Sequence, residues 1–374
     1  MKVLLIATVQ SHICQFHKPL VAMLHAHGCE VHVAARNNLA EKNGLKLDFV
    51  EQVFDVPFQR SPFSSKNLGA YRQLKAIIND GGYDVIHCNT PVGGVLGRLA
   101  ARKARRRGTK VFYTAHGFHF YKGAPKKNWL IWYPVERFMC RYTDTLITIV
   151  SEDYALAAKK FPTRVERIHG IGANTAKYQK MSPQACAAVR QELGYAEGDA
   201  LLLCTGELLP NKNQITVIRT LKRLADKYPH LYLMLAGNGP TLPQLKEEAA
   251  ALGLSERVRF LGYCTDLERY ANIADIIVSC SFREGLGMNI IEGMLLGKPA
   301  VTSYNRGHRE LIEPGKNGFM AAPTDTAALA GYIETLLGDP ATYAAMSAAA
   351  LEMVQPYTDT HVQKELEAIY FPEA

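Results

Sequence analysis

The chain has 374 residues, of which 48% are apolar and 21% are charged, and this composition is typical of globular proteins and excludes disordered and fibrous classes. Its formal net charge is +8, yet residues 1–180 carry 27 Lys and Arg against 12 Asp and Glu, whereas residues 181–374 carry 16 against 23. The basic first half predicts an anionic partner, and the length suffices for two domains.

Short β-rich apolar runs alternate with helix-like segments along the whole chain, a pattern typical of parallel α/β sheets. The first run, Val3 to Val9, ends without a small-residue cleavage site, so it predicts a buried strand and not a signal peptide. Strands of the first half are predicted at 2–9, 30–35, 84–88, 110–114 and 145–149. Strands of the second half are predicted at 200–205, 231–236, 258–261, 275–279 and 299–302.

A polar stretch after Gly172 interrupts this alternation and predicts a domain boundary. We expect two doubly wound domains, at 1–175 and 182–355, and a C-terminal helix at 356–374 that returns to the N-terminal domain. Ligands of such folds bind at the carboxyl ends of the strands, so a cleft between the two domains is the expected active site. No apolar run reaches the 18 or so residues of a membrane-spanning helix.

The eight cysteines contain no C-x-x-C pair, which argues against a zinc ribbon or a disulfide framework and favours reduced thiols. No D-x-D sequence occurs either.

The segment from Ser281 to Glu292 is the densest chemical signal. It reads as a strand end, a glycine-containing loop and an apolar helix, with Glu284 in the loop and Glu292 in the helix. Backbone amides at the start of a helix bind anions, and carboxylates accept hydrogen bonds from hydroxyls. The pattern therefore suits a sugar nucleotide, although a capped helix with two solvated glutamates is an open alternative.

Two further loops follow predicted strands. Gly206 to Asn213 opens a helix and places Lys212 where an ammonium group could meet a diphosphate. The turn from Gly237 to Pro240 allows the backbone to approach a ligand closely. A solvated lysine and a plain turn are the alternative interpretations.

These elements together, with Val258 to Gly262, resemble the C-terminal domain of family 4 glycosyltransferases, which have the GT-B fold of two Rossmann-like domains. The segments 87–98 and 113–125 resemble the bacterial exopolysaccharide and capsule branch of that family. The resemblance covers nearly the whole chain and implies a transferase that uses a UDP-sugar.

The resemblance also implies roles for individual residues. Glu284 contacts the donor sugar, Lys212 neutralises the diphosphate, and His116 contacts the transferred sugar and the leaving phosphate. Glu292 accepts hydrogen bonds from the ribose. The full donor-binding set is Gly206, Asn211, Gly237, Leu261, Tyr263, Gly285, Leu286, Gly287, Met288, Asn289 and Glu292.

Members with this element usually retain the anomeric configuration, with the leaving phosphate acting as base. Lys212 and the helix amides supply what a metal supplies in other glycosyltransferases, so we expect no cofactor and no required metal.

Two positions depart from the family pattern. Glu207 stands where many members have Arg, so one cation that would contact the diphosphate is missing. Arg283 and Arg309 are candidates to supply that cation. His119 is a candidate contact to the acceptor. Residues 8–14 lack the paired glycines common after the first strand, which puts a phosphate cradle there in doubt.

The basic first half of the chain indicates that the acceptor lies at a membrane surface. Residues 102–110 hold six cations, among them Arg105, Arg106 and Arg107, and both tryptophans, Trp129 and Trp132, lie in a nearby basic segment. Aromatic and basic residues together are typical of membrane interfaces, and an ordinary amphipathic packing helix is the open alternative. We therefore expect a peripheral enzyme on the cytoplasmic face of the cell membrane, acting on a lipid-linked (polyprenyl diphosphate) saccharide.

Other functions stay open at this point. They are transfer to a soluble acceptor, a non-catalytic sugar-nucleotide-binding subunit, and nucleic-acid binding. We expect no nucleic-acid partner because the basic tract lacks a base-stacking module. The identity of the sugar, the linkage and the oligomeric state cannot be read from the residues.

Overall fold

The computed structural model describes residues 1–41 and 44–372, which divide into two compact units. The first unit comprises Met1–Gly172 and the chain from Asp359 onward, and the second comprises Ala173–Thr358. Each unit is a parallel sheet with helices.

The described residues of the first unit form seven strands and a set of helices. The strands are β1 (Lys2–Val9), β2 (Glu30–Arg36), β3 (Gln52–Asp55), β4 (Val85–Asn89), β5 (Lys110–Ala115), β6 (Thr145–Thr148) and β7 (Arg164–Arg167). The helices are α1 (Gln10–Phe16), α2 (Lys18–Ala26), α3 (Asn67–Gly81), α4 (Pro91–Ala100), α5 (Arg102–Arg105), α6 (Lys126–Met139) and α7 (Ser151–Lys160).

The second unit repeats this plan with six strands. They are β8 (Ala200–Thr205), β9 (Leu231–Ala236), β10 (Val258–Gly262), β11 (Ile276–Ser279), β12 (Ala300–Ser303) and β13 (Gly318–Ala321). The helices are α8 (Pro183–Glu192), α9 (Gln214–Leu224), α10 (Leu242–Ala251), α11 (Leu267–Ile273), α12 (Met288–Leu295), α13 (Thr326–Gly338) and α14 (Pro340–Met353). The last helix, α15 (Asp359–Tyr370), packs against α2 in the first unit.

The strand order shows that both sheets are doubly wound. It is β3-β2-β1-β4-β5-β6-β7 in the first sheet and β10-β9-β8-β11-β12-β13 in the second, and neighbouring strands are parallel. The order reverses between β1 and β4 and between β8 and β11. Ligands of doubly wound folds bind at the carboxyl end of this switch point.

The ten strands predicted from apolar runs are confirmed to within one residue at each end. The sequence missed β3, β7 and β13, which are four-residue strands at sheet edges. The strands β3 and β7 expose much of their surface, so they lack the continuous apolar run that marks a buried strand.

Buried apolar side chains form the cores. The inner strands of the first sheet are buried almost throughout, as in β1, where Val3 to Ala7 are fully buried. The second sheet carries a buried apolar cluster on each face, one against α9 and α13 and one against α12. Burial of this surface stabilises the fold by about 25 cal/mol per Å² of apolar area.

Local signals set the helix starts. Ser182 accepts a hydrogen bond from the Ala185 amide at the start of α8, and Asp325 and Asp339 cap α13 and α14 in the same way. Such caps contribute about 1 kcal/mol each.

The helix α15 is held to the first unit by polar contacts as well as by packing. Tyr370 Oη lies 2.6 Å from His87 Nδ1, and Glu365 Oε1 lies 2.6 Å from His169 Nδ1. Gln363 Nε2 donates to the Pro19 carbonyl oxygen at 3.1 Å. The chain therefore leaves the first unit at residue 172 and rejoins it at residue 359.

Candidate active site

The carboxyl edge of the second sheet gathers the predicted donor-binding residues. Strand β8 leads into Gly206 and a tight turn, Pro210–Lys212, before α9. Its neighbour β11 leads into residues 280–287 before α12. The parallel strands end at the same edge, so the two loops lie side by side.

Lys212 and Glu284, predicted from separate motifs, form an ion pair. Lys212 Nζ lies 2.7 Å from Glu284 Oε1, and their side chains are 28% and 12% exposed. Hydrogen bonds on either side hold the two loops together: the Phe282 amide donates to the Asn211 carbonyl, and Asn211 Nδ2 donates to the Arg283 carbonyl, each at 2.9 Å. A cation and a carboxylate thus share one small region.

Helix α12 begins beside this pair. Gly285, Leu286 and Gly287 precede it, and Met288 and Asn289 form its first turn. The first amides of a helix carry positive partial charge and lack partners within the helix. This helix start therefore adds anion-binding capacity next to the Lys212 ammonium group.

Glu292 lies on the same helix as its fifth residue, just over one turn from the start of the helix. Its carboxylate accepts a hydrogen bond from the Tyr178 hydroxyl. Burial raises the pKa of Glu292 to about 7, against the lowering effect of that hydrogen bond.

The glycine turn predicted at Gly237 packs directly on the loop after β8. A Cβ on Gly237 would lie 1.9 Å from the Gly206 carbonyl oxygen, and its φ is +147°, so only glycine fits. Its amide donates to the Gly262 carbonyl at 2.7 Å. Leu261 and Tyr263, on either side of Gly262, are partly exposed at this edge.

The replacement cations proposed for Glu207 are found on the surface. Arg283 and Arg309 are exposed, whereas Arg306, which the sequence analysis did not select, is 6% exposed. His308 is fully buried, its Nδ1 lies 2.8 Å from the Ser303 carbonyl oxygen, and burial lowers its pKa to about 4.

Gly307 explains why this segment belongs to the site. A Cβ there would lie 2.8 Å from Glu284 Cβ, so glycine lets residues 305–308 lie against the Glu284 loop. The segment was selected from the sequence, but residue spacing alone could not distinguish the buried Arg306 and His308 from the exposed Arg309.

The carboxyl edge of the first sheet carries different chemistry. His116 follows β5, and its ring lies 4.8 Å from that of His12 and 6.1 Å from that of His17. Burial is the largest cause that lowers the pKa of each of the three, to about 3 for His116, so the rings are uncharged near pH 7. His116 was predicted from the sequence, whereas His12 and His17 were not.

Thr90, between β4 and α4, has a φ of +64° and ψ of 153°, a strained conformation for a β-branched residue. Its hydroxyl accepts from the Thr8 amide at 3.0 Å, which ties the ends of β1 and β4 together at the switch point. Residues 8–14 form no glycine loop: β1 ends at Val9 and α1 starts at Gln10.

A pocket of about 160 Å³ opens beside His116 in the first unit. His119 and Trp132 form one wall, with their ring centroids 5.3 Å apart. The other lining residues are Thr90, Pro91, Val95, Tyr113, Gly117, Phe118, Phe120 and Glu136. Aromatic walls with one carboxylate are suited to a ligand that has both apolar and hydroxyl-bearing surfaces.

Some residues of the predicted membrane contact are packed against the core, and other residues of the same helix are exposed. Trp129 and Trp132 pack inward from α6, against the core of the first unit. Leu130, Ile131 and Phe138 point outward from the same helix and are 78%, 45% and 47% exposed.

The predicted arginine triplet is divided in the same way. Arg105 is engaged by Asp144, with Nη2 to Oδ1 at 2.9 Å, whereas Arg106 and Arg107 are exposed. A surface contact would therefore use Arg106 and Arg107 and the outward residues of α6.

Metal-binding capacity is confined to two clusters in the described part of the chain. They are His12, His17 and His116, and His169, His361 and Glu365.

The eight cysteines have free thiols, as expected. Every helix among the described residues is too short or too polar to cross a lipid bilayer.

Comparison with known proteins assigns the family. Residues 2–150 match the family described as "Glycosyl transferase 4-like", and residues 187–353 match "Glycosyl transferases group 1". The "Putative glycosyltransferase EpsD" of Bacillus subtilis (strain 168) is 44% identical over 371 residues, which cover 99% of this chain and 96% of that protein.

More distant relatives agree with this result. An Escherichia coli "UDP-Gal:alpha-D-GlcNAc-diphosphoundecaprenol alpha-1,3-galactosyltransferase" is 25% identical over 77% of this chain and 76% of its own length. The crystal structure of Anabaena Alr3699/HepE in complex with UDP and glucose aligns over 99% of both chains, with a TM-score of 0.81 and 24% identity. The chain belongs to the family 4 glycosyltransferases of the exopolysaccharide type and has the GT-B fold.

Proposed function

We propose that the protein is a retaining glycosyltransferase that moves a hexose or N-acetylhexosamine from a UDP-sugar to a lipid-linked saccharide, without a required metal. The acceptor is a polyprenyl diphosphate saccharide of exopolysaccharide or capsule synthesis. The observation that carries the proposal is the Lys212–Glu284 pair, 2.7 Å apart beside the start of α12.

The donor site follows from the charges of that pair. The Lys212 ammonium group and the α12 amides stabilise the negative charge that develops on the diphosphate. Glu284 accepts hydrogen bonds from sugar hydroxyls, and Glu292, on α12, accepts from the ribose. Leu261 and Tyr263 lie at the same edge, where the base binds.

In the reaction, an acceptor hydroxyl oxygen forms a bond to the anomeric carbon on the face that the nucleotide leaves. The bond between that carbon and the β-phosphate oxygen breaks, and its electron pair stays on the phosphate. The acceptor proton passes to the same phosphate. His116 hydrogen-bonds to the transferred sugar and orients it.

Two observations support a lipid-linked acceptor: the name of a relative and the exposed face of α6. The Escherichia coli relative is named for a diphosphoundecaprenol-linked GlcNAc acceptor. The outward face of α6 presents Leu130, Ile131 and Phe138 among Lys127 and Arg137, which suits peripheral contact with an anionic membrane on its cytoplasmic face. Each basic residue near such a surface adds about 1 kcal/mol.

Thermal shift with a panel of nucleotides tests the donor site. The panel holds UDP, GDP, UDP-glucose, UDP-galactose, UDP-N-acetylglucosamine, UDP-N-acetylgalactosamine and UDP-glucuronate, all with EDTA. A ligand that binds only the folded state raises its melting temperature. We expect stabilisation by UDP and by one UDP-sugar in EDTA, and a flat panel would contradict the donor proposal.

Transfer is tested with the stabilising UDP-sugar and a short-chain polyprenyl diphosphate saccharide. Proton NMR of the product reads the anomeric configuration, which we expect to be that of the donor. A product formed only with a soluble saccharide would contradict the lipid-linked acceptor, and an inverted product would contradict the retaining mechanism.

A further inference from the structure

Three histidine rings meet at the carboxyl edge of the first sheet. The ring centroids of His12 and His17 are 5.1 Å apart, those of His12 and His116 are 4.8 Å apart, and those of His17 and His116 are 6.1 Å apart. One nitrogen from each ring lies within 4.8 Å of the others. His12 and His116 are partly exposed, so a small ion can reach the cluster from solvent.

A break in the helix brings the first two rings together. On a continuous α-helix, residues five apart point about 140° away from each other, because each residue turns the helix by about 100°. Helix α1 ends at Phe16 and α2 starts at Lys18, with His17 between them at φ −119° and ψ 5°. This junction turns His17 back toward His12.

The cluster contains buried nitrogens that the protein leaves without partners. Among the described residues, His12 Nε2 and His17 Nδ1 are buried and have no hydrogen bond of normal geometry. His17 is 4% exposed. Buried polar atoms are nearly always hydrogen-bonded, so two such nitrogens in one cluster point to a missing partner.

His87, nearby on β4, shows how a structural histidine differs. Its Nδ1 lies 2.6 Å from Tyr370 Oη, and its Nε2 lies 2.7 Å from Thr114 Oγ1. Both of its ring nitrogens therefore have partners, and His87 links α15 to the sheet. His17 has polar contacts to the Asn89 side chain and the His12 backbone, yet one ring nitrogen in each of His12 and His17 is left without a hydrogen-bond partner.

The third histidine has the outer contact that metal ligands require. His116 Nε2 lies 3.2 Å from Asn89 Oδ1, so the ring donates from Nε2 and keeps a lone pair on Nδ1. Histidines that bind metals usually donate their second ring nitrogen to an oxygen in this way. Asn89 is fully buried at the end of β4, which keeps its oxygen in place.

We propose that His12, His17 and His116 form a binding site for a transition-metal ion of the Zn²⁺ class. Uncharged imidazole nitrogens are preferred ligands of such ions, and three histidines leave a fourth position open. For a tetrahedral ion with Zn–N bonds of about 2.0–2.1 Å, ring centroids would lie about 5 Å apart. The His12–His17 and His12–His116 separations, 5.1 and 4.8 Å, lie close to that value, and the His17–His116 separation of 6.1 Å is longer.

A second cluster in the same unit provides the comparison. His169 Nδ1 lies 2.6 Å from Glu365 Oε1, and His361 Nε2 lies 3.6 Å from the same oxygen. This carboxylate is already paired with a histidine and also accepts from the His169 amide at 2.8 Å. His361, which is exposed, serves as the control position.

Metal binding has a consequence for transfer, and this consequence rests on the proposed function. His116 is expected to hydrogen-bond to the transferred sugar, and a metal ion would occupy its free nitrogen. Binding of Zn²⁺ therefore inhibits a transferase that needs no metal. The ion is thus an inhibitor and not a cofactor.

The test begins with metal binding by the full chain, without substrate. EDTA-treated and dialysed protein is titrated with Zn²⁺ against a chromophoric chelator, and with Co²⁺ while its visible d–d absorption is recorded. We expect one ion per chain with a tetrahedral spectrum. His12→Ala and His17→Ala should each weaken Zn²⁺ binding by about 100-fold or more. This loss exceeds the one expected when only a hydrogen-bond partner of a metal ligand is removed. His361→Ala should leave it unchanged.

The melting temperature of each metal-free variant shows whether it folds, and His12→Gln replaces any alanine variant that does not. Loss of binding in His361→Ala but not in His12→Ala or His17→Ala overturns the proposal, as does the absence of a Co²⁺ spectrum in the wild type.

Inhibition is measured last, as the transfer rate with Zn²⁺ relative to each variant's own rate in EDTA. We expect Zn²⁺ to inhibit the wild type at concentrations about 100-fold below those needed for His12→Ala. Equal inhibition overturns the regulatory consequence. Absence of any transfer contradicts the proposed function and leaves the metal measurements to stand on their own.

Discussion

The carboxyl edges of the two sheets have the same topology but different side chains: those of the first are uncharged and aromatic, and those of the second include a charged pair. At the β1–β4 switch point, the uncharged His116 ring and the strained Thr90 line an aromatic pocket. At the β8–β11 switch point, a lysine and a glutamate pair beside a helix start. The same fold thus carries different side chains at its two carboxyl edges, and the loop residues set the chemistry of each edge.

The two units also use ion pairs differently. Arg98, on α4, is fully buried, stacks on the Tyr113 ring at 3.8 Å and lies 2.8 Å from Glu136 on α6. The Lys212–Glu284 pair is partly exposed and joins two loops. The first pair ties helices together behind the pocket, whereas the second is accessible to a ligand.

The largest expected effect concerns the first pair. Arg98→Ala leaves the Glu136 carboxylate buried without its cation, and we expect it to lower the free energy of unfolding of the first unit by about 3–5 kcal/mol. Urea denaturation measures this loss. Arg164→Ala is the matched control, because Arg164 also lies 2.8 Å from a glutamate but is 52% exposed. Equal losses in the two variants would contradict the structural role of Arg98.

The next effect separates the two edges. Glu284→Ala and His116→Ala should each lower turnover by about 10²–10³-fold, because each removes a contact to the reacting sugar. Both should keep most of the UDP-induced rise in melting temperature, whereas Lys212→Ala should weaken UDP binding and turnover together. Glu313→Ala, an exposed position in the second unit, is the control. Wild-type turnover in Glu284→Ala or His116→Ala would remove these residues from the site.

A smaller effect is expected at the basic surface of the first unit. Replacing Arg106 and Arg107 with Ser should weaken binding to anionic liposomes by about 2 kcal/mol in total and leave UDP binding unchanged. Arg105 is left in place because it pairs with Asp144. The same change at Lys222 and Lys316 of the second unit is the control. Unaltered liposome binding would show that the membrane contact lies elsewhere.

The smallest effect is the pH dependence of nucleotide binding. The pKa of Glu292 is raised to about 7 by burial, so its carboxyl is mostly protonated at pH 6 and ionised at pH 8. Because the carboxylate accepts from hydroxyls better than the neutral acid does, UDP affinity should rise by up to about tenfold over this range. Calorimetry on wild type and Glu292→Gln isolates this effect from the titration of UDP itself. Parallel pH profiles would exclude Glu292 from the ribose contact.

Much of the candidate donor site could be predicted because its signals are local. Gly237 is required by a positive φ and a close approach, and Glu284 and Glu292 lie in one loop and helix. The orientation of Trp129 and Trp132 could not be predicted, because α6 has apolar residues on both its inward and outward faces. Local spacing also could not separate the buried Arg306 from the exposed Arg309.

The amino-acid sequence by itself determined ten of the strands, since continuous apolar runs mark strands that are largely buried. It also singled out the loops that carry the candidate donor-site residues. Only the tertiary structure decided that Lys212 meets Glu284, and that His12 and His17 meet His116 about a hundred residues along the chain. Those contacts depend on which strands are neighbours in the sheet, and the order of strands is set by packing of the whole unit.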